Sequence, residues 1–238
     1  MFDIIAFDAD DTLWENNALY IEVRERVKRI VARYTDAEAM DELFDEIEIR
    51  NLQFYGYGVL SFILSTIEAA IDITGGRIPA GDIATIVDMA KEMITSPLRL
   101  FDDAEPTLRQ LSQQYPLILV TKGDLNHQQS KVAQSGLKEF FREVQVVPDK
   151  TRATYAAILE KLGCAPSRFL MVGDSLRSDI LPVLELGGCA VYVPNDATWT
   201  HEKDELPQGH EGCFFKLEHL GMLPALLADL PGNGLKSN

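Results

Sequence analysis

Basic residues are in short supply: 22 Lys and Arg stand against 37 Asp and Glu, leaving a formal net charge of -15 over 238 residues. So acidic a surface argues against a nucleic-acid polymer or an anionic membrane as partner, because both reward clustered cations through counterion release and surface potential. A nucleotide monophosphate stays open as a small substrate. Cysteine is scarce as well, with Cys164, Cys189 and Cys213 as the full set of 3. They fall in no metal-type spacing and no even disulfide framework, so the expectation is three core thiols in a reducing, cytoplasmic compartment. Long hydrophobic runs are missing too. The most apolar stretch, Val59 to Thr74, is broken by Glu68 and Asp72 and is shorter than the ~20 residues a membrane helix needs. No basic segment leads into an apolar stretch at the amino terminus, which argues against a secretory signal. Neither an internal repeat nor a low-complexity linker is evident, and oligomeric state is not legible.

What is present is 46% hydrophobic content, enough for a sizeable core in one large or two smaller units. The first apolar run, Ile4-Ile5-Ala6-Phe7, stops abruptly in Asp8, followed by Asp10, Asp11 and Thr12. Three carboxylates in four residues at the end of an expected strand call for a cation or a reaction, and open α/β sheets place ligands at carboxyl ends of strands. A second run, Pro116 to Val120, ends in Thr121-Lys122-Gly123-Asp124. A third, Val144 to Val147, leads through Pro148-Asp149 to Lys150, a point charge suited to a phosphate or a carboxylate. A fourth, Arg168 to Val172, ends in Gly173-Asp174-Ser175, with Asp179 five residues after Asp174. Taken singly, each acid reads as a turn or capping residue, Thr121 as a cap and Lys150 as a surface lysine. Their shared placement after apolar runs is what those readings leave unexplained.

The four segments, in this order over residues 8 to 179, resemble the motifs of the haloacid dehalogenase (HAD) superfamily of hydrolases. The resemblance implies Asp8 as nucleophile, Asp10 as general acid and base, Thr121 and Lys150 as contacts to phosphate and nucleophile, and Asp174 as metal ligand. Asp179 is implied as a supporting acid, with Ser175 and Lys122 beside it. One departure is visible, since Asp11 stands where many members carry glycine.

The chemistry is consistent on physical grounds. A carboxylate attacking a phosphate dianion meets like charge, so the site needs a divalent cation. Magnesium suits it, because Mg2+ prefers oxygen donors and binds through one or two carboxylates plus substrate oxygens; Asp8, the main-chain carbonyl of Asp10 and Asp174 would meet that demand. Asp8 would form an aspartyl-phosphate, and Asp10 would protonate the leaving alkoxide and then deprotonate water.

Between Asp8 and Thr121 most of the chain has helical spacing. Val23, Val27, Ile30, Val31 and Tyr34 form one stripe and Met40, Leu43, Phe44 and Ile47 a second. Val59, Leu60, Ile63, Leu64, Ile67 and Ile71 form a third, and Ile83, Ile86, Val87, Ala90 and Ile94 a fourth. Thr74-Gly75-Gly76 and Ser96-Pro97 break them. From residue 98, helical stripes alternate with short apolar runs through Cys189-Ala190-Val191-Tyr192-Val193, which implies a parallel α/β sheet. The expected fold is therefore α/β: a Rossmann-like, HAD-like core over 1-15 and 96-231, a four-helix-bundle-type cap over 16-95 resembling the cap inserted after the first HAD motif, and a frayed tail over 232-238.

Specificity is thinly written. Glu15, Asn16 and Asn17 follow the first acid cluster, Arg50, Asn51, Tyr55 and Tyr57 gather near a turn, and Thr198 to Glu202 are candidates for the site edge; capping and packing explain all of them equally well. The expected activity is hydrolysis of a small phosphorylated metabolite such as a sugar phosphate, phosphoglycolate or a nucleotide monophosphate. A phosphomutase, a 2-haloacid dehalogenase and a HAD-like binding or regulatory module are the alternatives. Phosphonate hydrolysis is disfavoured, because the cap lysines Lys28 and Lys91 fall within helical stripes without a special setting.

Overall fold

The computed structural model describes residues 2–34 and 38–230. Its centre is a sheet of β1 (Ile4–Phe7), β2 (Leu117–Lys122), β3 (Glu143–Val147), β4 (Phe169–Gly173), β5 (Cys189–Tyr192) and β6 (Phe214–Lys216). The spatial order is β3-β2-β1-β4-β5-β6 and every pairing is parallel. Both faces are covered. Ile5, Phe7, Leu117, Leu119, Leu170 and Val172 feed one apolar cluster, while Ile4, Ala6, Ile118, Val120, Phe169 and Met171 feed another. This two-sided burial is why the strands read as continuous apolar runs rather than alternating ones.

The chain leaves β1 toward β2 on one side and later returns to place β4 on the other, so β1 stands at the point where the strand order reverses. That crevice, at the carboxyl ends, is where such sheets bind ligands. Register delivers the site: Phe7 pairs with Val172 and Leu119, and the Asp8 amide donates to the Val172 carbonyl at 2.8 Å. Asp8 therefore lies abreast of the turn that starts at Gly173.

Four helices separate β1 from β2: α1 (Asn17–Val31), α2 (Glu38–Tyr55), α3 (Val59–Ile73) and α4 (Ala80–Thr95). They share an apolar cluster of their own, built from residues such as Val27, Met40, Ile47, Phe62 and Ile86. In the third and fourth stripes, however, Leu60, Leu64, Ile71, Val87 and Ile94 are exposed, and Phe62, Ala69, Ala70, Met89 and Met93 fill the interior instead. These helices are apolar on more than one face, so periodicity alone misassigned the inward side.

The remaining helices are α5 (Ala104–Leu111), α6 (Leu125–Ser135), α7 (Arg152–Leu162), α8 (Leu181–Leu184) and α9 (Leu223–Asp229). Asp124 starts α6 by accepting from the His127 amide, and Thr151 starts α7 by accepting from the Thr154 amide. The expectation of three free thiols is corrected: Cys189 on β5 and Cys213 before β6 are joined as a disulfide, their Cα atoms 4.3 Å apart, and Cys164 alone is free. The cross-strand neighbourhood that joins them exists only once β6 docks beside β5. No described helix is long and apolar enough to cross a membrane, and the tail expected over 232-238 lies outside the described residues.

Candidate active site

Asp8 is 6% exposed and held from two sides. The Thr12 hydroxyl donates to Oδ2 at 3.0 Å, and the Lys150 ammonium lies against Oδ1. Lys150 also meets Asp179 Oδ1 at 2.7 Å, so one fully buried cation serves two carboxylates. Asp179 is fixed further by the Ser175 amide at 3.1 Å and by the Tyr155 hydroxyl at 3.5 Å. Asp174 accepts from the Thr198 hydroxyl at 2.6 Å. The turn is shaped for this crowding, because a Cβ on Gly173 would overlap the Asp179 carboxylate.

Carboxylate oxygens of Asp8, Asp174 and Asp179 lie within 4.8 Å of one another. Burial, reinforced by Asp8 and Asp179, pushes the Asp174 carboxyl well above the usual carboxylate range. Burial also carries Asp8 up to about 7, with the Lys150 ammonium opposing. Three hard oxygen donors, two of them sharing one ammonium, are a donor set in want of a second positive charge, which fits a hard divalent cation. Asp179 belongs to this cluster, whereas the expected ligand set named Asp8, Asp10 and Asp174.

The Asp10 side chain turns elsewhere. It accepts from Trp14 Nε1 at 2.6 Å, from Gln128 Nε2 at 3.0 Å and from the Lys131 ammonium at 2.5 Å. Burial raises its pKa, but Lys131 together with the Trp14 and Gln128 bonds outweighs that and leaves it below the usual value. Gln128 also donates to Thr121 Oγ1 at 2.5 Å, linking the hydroxyl after β2 to the acid after β1. Gln128 and Lys131 were not singled out in the sequence. They are three residues apart on α6, hence on one face, and the signal was their spacing from the Asp124 cap.

Asp11 takes φ +64°, a left-handed conformation open to Asp but costly for most residues, which explains why glycine is common at this place in the resembling motif. Its carboxylate accepts from the amides of Asn16 and Asn17 at 3.0 and 3.1 Å, so Asp11, not Asn16, satisfies the start of α1. Burial lifts its pKa to about 6. Lys122 is paired with Glu202 at 2.5 Å, donates to the Ser178 hydroxyl at 2.8 Å and sits 3.8 Å from the ring centroid of Tyr57. Glu202 also accepts from the hydroxyls of Ser175 and Ser178 at 2.6 and 2.5 Å. Although burial works the other way, Lys122 and these bonds hold Glu202 at about 2.

All these carboxylates converge on one cavity of about 460 Å³, which Thr121, Lys122 and Lys150 also line. Of the specificity candidates, Asn16, Asn17, Tyr57, Thr198 and Trp199 line it, whereas Arg50 and Asn51 are engaged with Glu68 and lie outside, as does Tyr55. From the helical segment, Tyr20, Arg24, Glu48 and Phe62 close its far side.

A family model described as haloacid dehalogenase-like hydrolase matches residues 2–187. Among curated proteins, the chain is 24% identical over 205 residues to 5-amino-6-(5-phospho-D-ribitylamino)uracil phosphatase YigB of Escherichia coli (79% of this chain, 82% of that protein). It is 28% identical over 203 residues to the glyceraldehyde 3-phosphate phosphatase of Methanopyrus kandleri (81% and 84%). Among solved structures, a haloacid dehalogenase-like family hydrolase from Xanthomonas campestris superposes with TM-score 0.85 at 32% identity over 96% of each chain. The L-2-haloacid dehalogenase of Xanthobacter autotrophicus shares the fold, at TM-score 0.63 and 21% identity over 97% of this chain and 100% of that one.

Proposed function

The chain belongs to the haloacid dehalogenase-like hydrolases, and on that premise we propose that it is a magnesium-dependent phosphomonoesterase acting on a small phosphorylated metabolite through a phosphorylated Asp8. The observation that carries the reading is the setting of Asp8, buried between Thr12 and Lys150, within 4.8 Å of Asp174 and Asp179, at the floor of a cavity of metabolite size. Phosphatases among the relatives support the same activity.

Asp8, Asp174 and Asp179, with the main-chain carbonyl of Asp10, are the groups that would hold Mg2+. When bound, Mg2+ offsets the repulsion between the phosphate dianion and the nucleophilic carboxylate. Lys150 fixes Asp8 Oδ1 and Thr12 fixes Oδ2, so the carboxylate is oriented before substrate arrives. Asp8 attacks phosphorus, a carboxylate O–P bond forms, and the bond from phosphorus to the alkoxide oxygen breaks. Asp10 gives that oxygen its proton; the arriving dianion, a like charge, raises the Asp10 pKa toward this task. With the alcohol gone, Lys131 favours ionised Asp10, which takes a proton from water as that water attacks phosphorus and releases Asp8. Thr121, whose Oγ1 accepts from Gln128, donates its hydroxyl proton to a phosphoryl oxygen in this reading. Helices α1–α4, spanning most of residues 16-95, act as a cap that supplies the alcohol-binding wall and excludes bulk water.

The test is phosphate release from sugar, nucleotide and short-chain acid phosphates, with and without Mg2+, for wild type and Asp8→Asn. Mg2+-dependent release that disappears in the variant is expected. Isomerised sugar phosphate without free phosphate would establish a mutase instead, and halide release from a 2-haloacid without phosphate release would establish a dehalogenase.

A further inference from the structure

The far wall of the cavity holds polar groups that phosphoryl transfer leaves unused. Arg24 reaches the cavity from α1 with both guanidinium nitrogens engaged, Nη1 by Asp45 Oδ1 at 2.6 Å and Nη2 by Glu48 Oε2 at 2.7 Å. Lys28, one turn further along α1, is engaged by Glu25 and Asp41 at 2.8 and 2.5 Å. Trp199 closes over this group from the opposite loop, its Nε1 donating to Asp45 Oδ1 at 3.3 Å. Asp45 Oδ2 and Glu48 Oε1 stand outside these bonds. Ser61, in the first turn of α3, lines the same cavity at 4% exposure, and its Oγ is the one buried side-chain polar atom without a hydrogen-bond partner among the described residues.

The charge balance points the same way. Eleven acidic side chains line the cavity against five basic ones. Lys150, Lys122, Arg24 and Lys28 are each paired with carboxylates, which leaves only Lys203, on the exposed rim, free among the described residues. A carboxylate brought to the far wall therefore meets like charge and no unpaired cation. A hydroxyl brought there finds carboxylate oxygens to donate to and an unpartnered serine hydroxyl.

We propose that this wall selects the alcohol half of the ester, accepting an uncharged, polyhydroxylated alcohol through Ser61, Asp45 and Glu48 and rejecting an alcohol that bears a carboxylate. The proposal rests on the phosphatase reading above and narrows its substrate class to neutral polyol and sugar phosphates. Discrimination arises as much from repulsion of the wrong ligand as from attraction of the right one.

Two pairs of esters that differ only by CH2OH against COO⁻ test it: glycerol 3-phosphate with 3-phosphoglycerate, and erythritol 4-phosphate with 4-phosphoerythronate. With p-nitrophenyl phosphate turnover as normaliser, kcat/KM is expected to favour the polyol member of each pair by roughly tenfold or more, the scale of one like-charge contact at partial burial. Glu48→Gln is expected to narrow that ratio, and Ser61→Ala to raise KM for the polyol esters more than for the acids. Ser61→Ala also serves if loss of the Arg24 partner unfolds the Glu48 variant. Equal or better turnover of the acid esters would overturn the proposal, as would ratios that neither variant moves. Titration of both esters onto Asp8→Asn in Mg2+ reads the same preference without turnover, so a protein inactive on p-nitrophenyl phosphate would refute the phosphatase reading while the ratio of Kd values still decided the selectivity.

Discussion

Replacing Asp174 with Asn separates the metal account from a purely structural one. In the metal-free protein carboxylate oxygens of Asp8, Asp174 and Asp179 crowd within 4.8 Å of one another, and the Lys150 ammonium is paired with Asp8 and Asp179. Asn keeps the shape and can still accept from Thr198 Oγ1, now 2.6 Å from Asp174 Oδ2, while removing one of three like charges. Without metal the variant should melt no lower than wild type. With Mg2+ at about 100 times Kd, binding to the folded state alone stabilises wild type by ~2.7 kcal/mol. In a chain of 238 residues each kcal/mol moves Tm by about 2–4 °C, so the expected rise is roughly 5–10 °C. In Asp174→Asn the rise should shrink to ~2 °C or less. Differential scanning calorimetry with EDTA, Mg2+ and Ca2+ gives the comparison. An equal Mg2+ shift in both proteins, or none in wild type, would refute the assignment of these carboxylates to a cation.

Asp11→Ala should cost about 2 kcal/mol by denaturant unfolding, since Ala tolerates φ +64° less well than Asp and the Asn16 and Asn17 amides lose their acceptor; a loss under ~0.5 kcal/mol would contradict that role. Glu202 is held at about 2 against an ordinary 4.5, so its contribution is complete above pH ~4.5 and fades as pH falls toward 2. The difference corresponds to roughly 3 kcal/mol. The stability gap between wild type and Glu202→Gln should accordingly narrow as pH falls from about 4.5 toward 2, and a gap independent of pH would exclude the charge as its source. Lys131→Met removes the ammonium beside Asp10, so the Asp10 pKa should rise and the alkaline limb of kcat/KM, set by loss of the proton Asp10 gives to the leaving oxygen, should move up by about 1–3 pH units. Reduced activity with an unmoved limb would assign Lys131 to packing.

The core was legible because strands buried on both faces are apolar throughout, and each run ended where its chemistry begins: Phe7 before Asp8, Val120 before Thr121, Val172 before Gly173 and Asp174. What the pattern could not carry was anything decided by packing between distant segments. Leu60 and Leu64 look as apolar as Phe62 and Ile63 in a helix rich in them on all sides, and only docking of α2 and α4 shows which pair turns inward. Lys131 and Gln128 are ordinary polar residues on α6 until Asp10 comes within 3.0 Å across 118 residues or more of sequence. Thr198 and Glu202 lie in a segment with no period, and β6, only three residues long, gave too short an apolar run to register. The Cys189–Cys213 pair depends on that same strand.

The central claim is that Asp8 carries the phosphoryl group during turnover. Quenching the enzyme on millisecond timescales with a good substrate and Mg2+, reducing with borohydride and mapping peptides by mass spectrometry should find Asp8 converted to homoserine, with Asp10, Asp11 and Asp174 unmodified. Phosphate release without any modification at Asp8, or with the label on another residue, would contradict the account.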